Sequence, residues 1–192
     1  ISGCGTNSFR YVFFQQNSSK YLTSHQKPVI LSYNTKEAPM GGNIFKDEAT
    51  SIRLQDIQPT ISAYIDFLGN LFPMKAEAFK NFVPVGSVGK KPVSGDLDLA
   101  IDLSHVIESF TGDELKKWDI NWDEWNELYL GIHKRSRTAT YEMSKMKALL
   151  SIIRSKIQEA GIETSSMVTA GNIFTCFPQY GPDGNPNGSK VQ

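Results

Sequence analysis

The sequence predicts an α+β fold, a small mixed sheet flanked by helices at about residues 56–69 and 141–160. Residues 96–103 alternate strictly: Asp96, Asp98, Ala100 and Asp102 fall on one side, and Leu97, Leu99, Ile101 and Leu103 on the other. That period belongs to a strand with an apolar core face and a carboxylate face. Ile57, Ile61, Tyr64, Ile65 and Leu68 recur at helical spacing, as do Met143, Met146, Leu150, Ile153 and Ile157. With 192 residues, 40% of them hydrophobic, the chain can bury one core and carry a small appendage.

The elements follow in order. Arg10–Phe14 and Val29–Tyr33 are short β-prone runs, read as a hairpin or docking arm within residues 1–40. Pro39-Met40-Gly41-Gly42-Asn43 marks a boundary, so residues 41–192 form the main domain. Asp56 is placed to cap the first helix, Pro59 falls in its first turn and Gly69 ends it. Phe82–Val85 reads as a strand leading into Gly86-Ser87. The Trp-rich stretch 104–140 predicts one or two short helices, with Trp118, Trp122 and Trp125 used for packing. Tyr141–Ala160 is the clearest helix, closed by Gly161. Asn172–Phe177 reads as a strand, Pro178–Ser189 as a loop, and Lys190-Val191-Gln192 as the first residues of a further strand.

Composition narrows the function. Lys and Arg number 20 and Asp and Glu 20, so any attraction to phosphate is local. No apolar run reaches the roughly 18 residues of a membrane span, which predicts a soluble chain. Cys4 and Cys176 are the only cysteines and lie in no CxxC or Cys/His cluster. That argues against a disulfide scaffold or thiolate zinc site and for a reducing, cytoplasmic compartment.

The chemistry concentrates between residues 86 and 98. Two carboxylates one residue apart on a strand, Asp96 and Asp98, point the same way and repel unless a cation lies between them. Such hard oxygen donors suit Mg²⁺ or Mn²⁺, which also bind nucleotide phosphates. Upstream, Gly86 and Ser87, then Gly89, Lys90, Lys91 and Ser94, supply backbone N–H groups, hydroxyls and positive charge for a triphosphate. No GxxxxGK[ST] phosphate loop is present, and an EF-hand starting at Asp96 would need Gly where Ile101 stands. His133, Lys134, Arg135 and Arg137 make a small basic cluster, read as a solvated helix end or loop.

Val85-Gly86-Ser87, a short Gly/Lys-rich loop and Asp96-Leu97-Asp98-Leu99 together resemble the signature of the DNA-polymerase-beta-like nucleotidyltransferases. Gly42-Asn43-Ile44-Phe45-Lys46-Asp47, Asp56-Ile57-Gln58-Pro59-Thr60 and Gly86-Ser87-Val88-Gly89-Lys90-Lys91 are similar to the small nucleotidyltransferases of tailed bacteriophages. The resemblance covers about residues 41–192 and implies a sheet of the nucleotidyltransferase type. It implies that Asp96 and Asp98 hold two Mg²⁺ ions, and that Gly86 and Ser87, with Lys90, Lys91 and Ser94, bind a nucleoside triphosphate. A nucleoside monophosphate then passes to an acceptor hydroxyl and pyrophosphate leaves. The acceptor, a nucleic-acid end, a protein side chain or a small molecule, is not defined by it. The family's third carboxylate, on a neighbouring strand, is expected one or two residues beyond Gln192, so the domain is read as truncated at its C-terminal end. Asp102 is two pleats from Asp98, roughly 13 Å, and is a poor substitute.

Two alternatives stand beside this. One is a non-catalytic protein of the same fold, binding nucleotide or serving as a phage structural or assembly component with residues 1–40 as its docking arm. The expected compartment is then the host cytoplasm or the virion. The other is a nucleotide-sugar glycosyltransferase, whose DxD accounts for Asp96-Leu97-Asp98 but leaves Gly86-Ser87 unexplained.

Overall fold

The computed structural model describes residues 11–14, 44–45, 48–86, 88–166 and 171–192. The strands are β1 (Tyr11–Phe14), β2 (Ile52–Arg53), β3 (Val83–Pro84), β4 (Val93–Ser94), β5 (Leu99–Asp102), β6 (Glu163–Thr164), β7 (Thr175–Tyr180) and β8 (Pro186–Val191). The helices are α1 (Leu54–Leu71), α2 (Ala76–Phe79), α3 (Leu103–Val106), α4 (Gly112–Lys116), α5 (Trp122–Arg135) and α6 (Tyr141–Glu159). The class is α+β, with the strands in three small sheets ordered β1-β5-β3, β2-β4 and β6-β7-β8. Only the β1–β5 pair among these ladders is parallel. Val29–Tyr33 and the boundary expected at Pro39–Asn43 lie outside the described residues.

Helix α1 buries Ile57, Thr60, Ile61, Tyr64 and Leu68, positions three or four apart that share one face. That face docks on β7. Tyr64 meets Phe177 edge-on at 4.8 Å, and Thr60 Oγ1 accepts from the Tyr180 N–H at 2.9 Å. Burying an aromatic side chain of this kind contributes about 1.5–3 kcal/mol. The helix departs from its sequence reading at both ends. Arg53, not Asp56, is the N-cap; Asp56 is buried in the first turn, 3.5 Å from Asn187 Nδ2. Pro59 consequently falls in the second turn, where it removes one helical hydrogen bond. Gly69 does not terminate the helix, which continues to Leu71. A Cβ on Gly69 would lie 3.4 Å from Ala76 Cβ, an ordinary van der Waals contact with α2.

Helix α6 starts at Thr140, whose hydroxyl accepts from the Met143 N–H, and ends before Gly161 at φ +89°. Met146, Leu150, Ile153 and Ile157 are buried as the periodicity predicts, and Ala148, Leu149 and Ile152 are buried beside them. The helix is therefore enclosed on more than one side, and α5 covers part of it. Trp125 on α5 donates its indole N–H to the Lys145 carbonyl at 3.3 Å. Trp118, in the turn after α4, donates to the Val106 carbonyl at 3.1 Å. Both rings are packing residues; Trp122 is 42% exposed.

Two further expectations change. The strand read over 96–103 forms a ladder only over Leu99–Asp102, and Leu103 opens α3. Asp102 caps that helix, its Oδ1 accepting from the Ser104 N–H at 2.8 Å. The expected loop 178–189 is a β7–β8 hairpin whose turn lies near Gly181–Asn185, and Lys190-Val191 ends β8 rather than starting a strand. Pro178 and Pro186 occupy the hairpin, and the register shift between Pro178 and Tyr180 accommodates the irregularity. No helix among the described residues is long and apolar enough to cross a membrane.

Candidate functional site

Strand β3 runs antiparallel to β5, with Val83 opposite Ala100 and Pro84 opposite Leu99. One step on, the Val85 N–H donates to the Asp98 carbonyl at 2.9 Å, so the pairing carries the chain into Gly86 directly beside Asp98. Gly86 adopts φ +70°, a conformation that L side chains rarely take. A Cβ there would also lie 3.1 Å from Asp98 Oδ2. Backbone and carboxylate therefore meet because residue 86 has no side chain.

Burial alternates over Asp96–Asp98, before the ladder begins, but not within β5, where Leu99, Ala100 and Ile101 are all buried. Leu97 is fully buried, whereas Asp96 and Asp98 are half-buried on either side of it. Leu97 is thus the core-facing residue of the tripeptide, and a carboxylate flanks it on each side in the chain. Asp98 Oδ1 is enclosed. The Leu97 N–H donates to the Gln192 carbonyl at 3.1 Å, on the edge opposite the Val85 contact. Strand β1 pairs with β5 on the edge away from β3, the edge that Gln192 enters. Its four residues, Tyr-Val-Phe-Phe, include no carboxylate.

The loop after Gly86 brings one cation back to this point. Lys90 Nζ donates to the Gly86 carbonyl at 2.6 Å. Lys91 is exposed on the same loop and is in no ion pair among the described residues. Gly89, at φ +73°, has open space where a side chain would be. Ser94 is different: it is buried in β4 opposite Ile52, and its hydroxyl has no hydrogen-bond partner among the described residues. The structure thus brings Lys90 and Asp98 each to Gly86, leaves Asp96 half-buried and keeps Ser94 covered. Ser87 lies outside the described residues.

Sequence reasoning missed Gln192. Its side chain is fully buried, and Oε1 accepts from the N–H groups of Ile44 at 3.1 Å and Phe45 at 3.4 Å. A lone glutamine at a strand end gives no sequence signal; only the fold brings it to Leu97. A second missed group joins Glu48, Glu163 and Cys176, whose donor atoms lie within 4.8 Å of one another. Lys190 Nζ already pairs with Glu48 at 2.8 Å and supplies the cation there. Its hydrogen bond holds the Glu48 carboxyl below the usual range, while the hydrogen bond to Glu48, followed by burial, pushes Glu163 up. Burial raises the Cys176 thiol to about 11, so it is protonated at neutral pH and poorly suited to hold a metal.

The basic cluster is built as a helix end. His133, Lys134 and Arg135 occupy the last turn of α5, where cations are favoured by the helix dipole. His133 stacks on Tyr141 at 3.9 Å and its Nδ1 lies 3.3 Å from Ser144 Oγ.

Comparison of the chain with known protein families, with curated proteins and with solved structures finds no match.

Proposed function

We propose that the protein is a metal-dependent nucleotidyltransferase of the DNA-polymerase-beta-like type, transferring a nucleoside monophosphate from a nucleoside triphosphate to an acceptor hydroxyl. The observation that carries this is the contact between a positive-φ glycine turn and a carboxylate pair. Gly86 backs onto Asp98, and Asp96 stands two residues before it across buried Leu97. Neither a plain turn nor a DxD motif alone accounts for that pairing of features.

Each residue then has a role. Asp96 and Asp98 offer hard, partly desolvated oxygen donors that fit Mg²⁺ or Mn²⁺. The ion supplies Lewis-acid polarisation of the phosphate and a lower pKa for the acceptor hydroxyl. The Gly86-Ser87 turn receives the triphosphate tail through backbone N–H groups and the serine hydroxyl. Lys90 is already beside the turn and neutralises phosphate charge, with Lys91 as its exposed neighbour; Ser94 serves the nucleotide only if β2 and β4 part. The acceptor oxygen forms a bond to the α-phosphorus, the bond to the bridging oxygen breaks, pyrophosphate carries away that electron pair and the acceptor proton goes to solvent.

One observation favours a second reading, a non-catalytic nucleotide-binding or virion assembly protein. The strand occupying the other edge of β5 is β1, and it brings no acid. The two readings separate on turnover. The protein incubated with labelled nucleoside triphosphates and Mg²⁺ should release pyrophosphate, and Asp98→Ala should abolish release. Asp102→Ala, which removes only a helix cap, should keep turnover while costing about 1 kcal/mol of stability. Release that survives Asp98→Ala would falsify the catalytic assignment. No turnover, together with stoichiometric binding to virion proteins unchanged by Asp98→Ala, would establish the structural reading.

A further inference from the structure

We propose that Gln192 is a positioning residue that sets the placement of the Asp96–Asp98 pair. This rests on the reading of that pair as a divalent-cation site. Asp96, Leu97 and Asp98 precede β5 and belong to no regular strand, so their main chain is placed by particular contacts. Two of these grip the tripeptide from opposite edges: Val85 N–H to the Asp98 carbonyl at 2.9 Å, and Leu97 N–H to the Gln192 carbonyl at 3.1 Å. The first comes from the Gly86 turn. The second depends on where the end of β8 is held.

Gln192 is held by its own side chain. Oε1 accepts from two successive N–H groups, Ile44 at 3.1 Å and Phe45 at 3.4 Å, with the amide fully buried. Phe45 is in turn fixed in a small apolar cluster with Ala49, Phe174 and Cys176. A chain of contacts therefore runs from that cluster through the Gln192 amide and carbonyl to Leu97, whose two neighbours are the carboxylates. Truncating the side chain strands one buried and one part-buried N–H donor and loosens the carbonyl that holds Leu97. Metal affinity depends on such supporting contacts because they fix the angle at which the ligands are presented.

A natural control lies in the same sheet. Gln179 is another buried amide, and its Nε2 donates to the carbonyls of Thr50, Ser51 and Lys190 and to Thr50 Oγ1. It ties β7 to the chain before β2 and to Lys190 in β8, but it touches neither Leu97 nor the Ile44 and Phe45 N–H groups that hold the Gln192 amide. The two glutamines thus differ in what they reach rather than in burial.

The test is Mn²⁺ titration of the full chain, followed by electron paramagnetic resonance, with thermal melts of each variant. Gln192→Ala should weaken Mn²⁺ binding about tenfold. Gln179→Ala should lower the melting temperature at least as much, yet leave the Mn²⁺ Kd within about twofold of wild type, because the second-sphere chain to Leu97 is intact. Gln192→Glu keeps an accepting oxygen for Ile44 and Phe45 and should restore affinity to near wild type. Unchanged binding in Gln192→Ala, or equal weakening in Gln179→Ala, overturns the positioning role while leaving the metal site standing. A wild-type protein that binds no Mn²⁺, indistinguishable from Asp98→Ala, overturns the metal reading itself and this inference with it.

Discussion

Glu114 is a carboxylate held inside the protein. It is 4% exposed and is approached by two lysines: Lys117 at 2.6 Å, one turn along α4, and Lys75 from the turn before α2. Lys75 is itself buried and lies over the Trp118 ring, 5.5 Å from its centre. Burial pushes the Glu114 carboxyl up, but the two lysines outweigh it and hold the group below its ordinary value of 4.5. A carboxyl lowered on folding stabilises the protein fully above its unfolded pKa. That contribution is lost as pH falls through the folded value. The wild-type melting temperature should therefore drop below about pH 4.5, while Glu114→Gln is flatter in that range. At neutral pH the same substitution leaves Lys75 buried without its counter-charge and should cost about 3 kcal/mol, measured by denaturant unfolding. A variant as stable as wild type at pH 7 would mean that the pair merely offsets its own desolvation.

At the scale of elements, Gly69 separates what the sequence carries from what it does not. A glycine after an apolar helical stripe reads as a terminator because it takes positive φ easily. Here the glycine is inside the helix and faces Ala76, a neighbour outside the helix that no local pattern reveals. If Gly69 is interior helix with only an ordinary contact at 3.4 Å, Gly69→Ala should stabilise the protein by about 0.5–1 kcal/mol. Were it a terminator, alanine would destabilise instead, so the sign of the change in denaturant midpoint decides. The same division holds elsewhere. Periodicity located α1, α6 and the alternation about Leu97, since burial of one face is a local property. It overextended the strand at 96–103, because β5 needs partners, and β1 and β3 pair only with 99–102. Residues 175–177 of β7 fall in the strand read over 172–177, whereas 178–189 read as loop because their prolines and glycines suppress a strand reading that non-local pairing overrides. In the site, the Gly86–Asp98 relation was legible as a spacing, whereas Gln192 was not, since its partners lie 147 and 148 residues away in sequence.

For the molecule as a whole, the outer edge of β5 is where its parts compete. Successive residues of an extended chain direct their main-chain groups to opposite edges. The Asp98 carbonyl faces Val85 and β3, so the Leu97 N–H, bound to Gln192, marks the other edge. Strand β1 lies on that other edge, pairing from Leu99 to Asp102 immediately after the point that Gln192 occupies. One edge thus receives two segments far apart in sequence, end to end. The β1–β5 ladder should then be the separable part of the sheet, since only four residues of β1 take part in it. Val12→Pro, which removes a main-chain donor from β1, should release it without unfolding the domain. Amide hydrogen exchange reads this directly. The N–H of Ile101, on the β1 edge, should exchange about tenfold faster in the variant. The N–H of Ala100, on the β3 edge, should keep its wild-type rate. Equal acceleration on both edges would mean that β1 is integral to the sheet and not an exchangeable occupant of the edge beside the carboxylate pair.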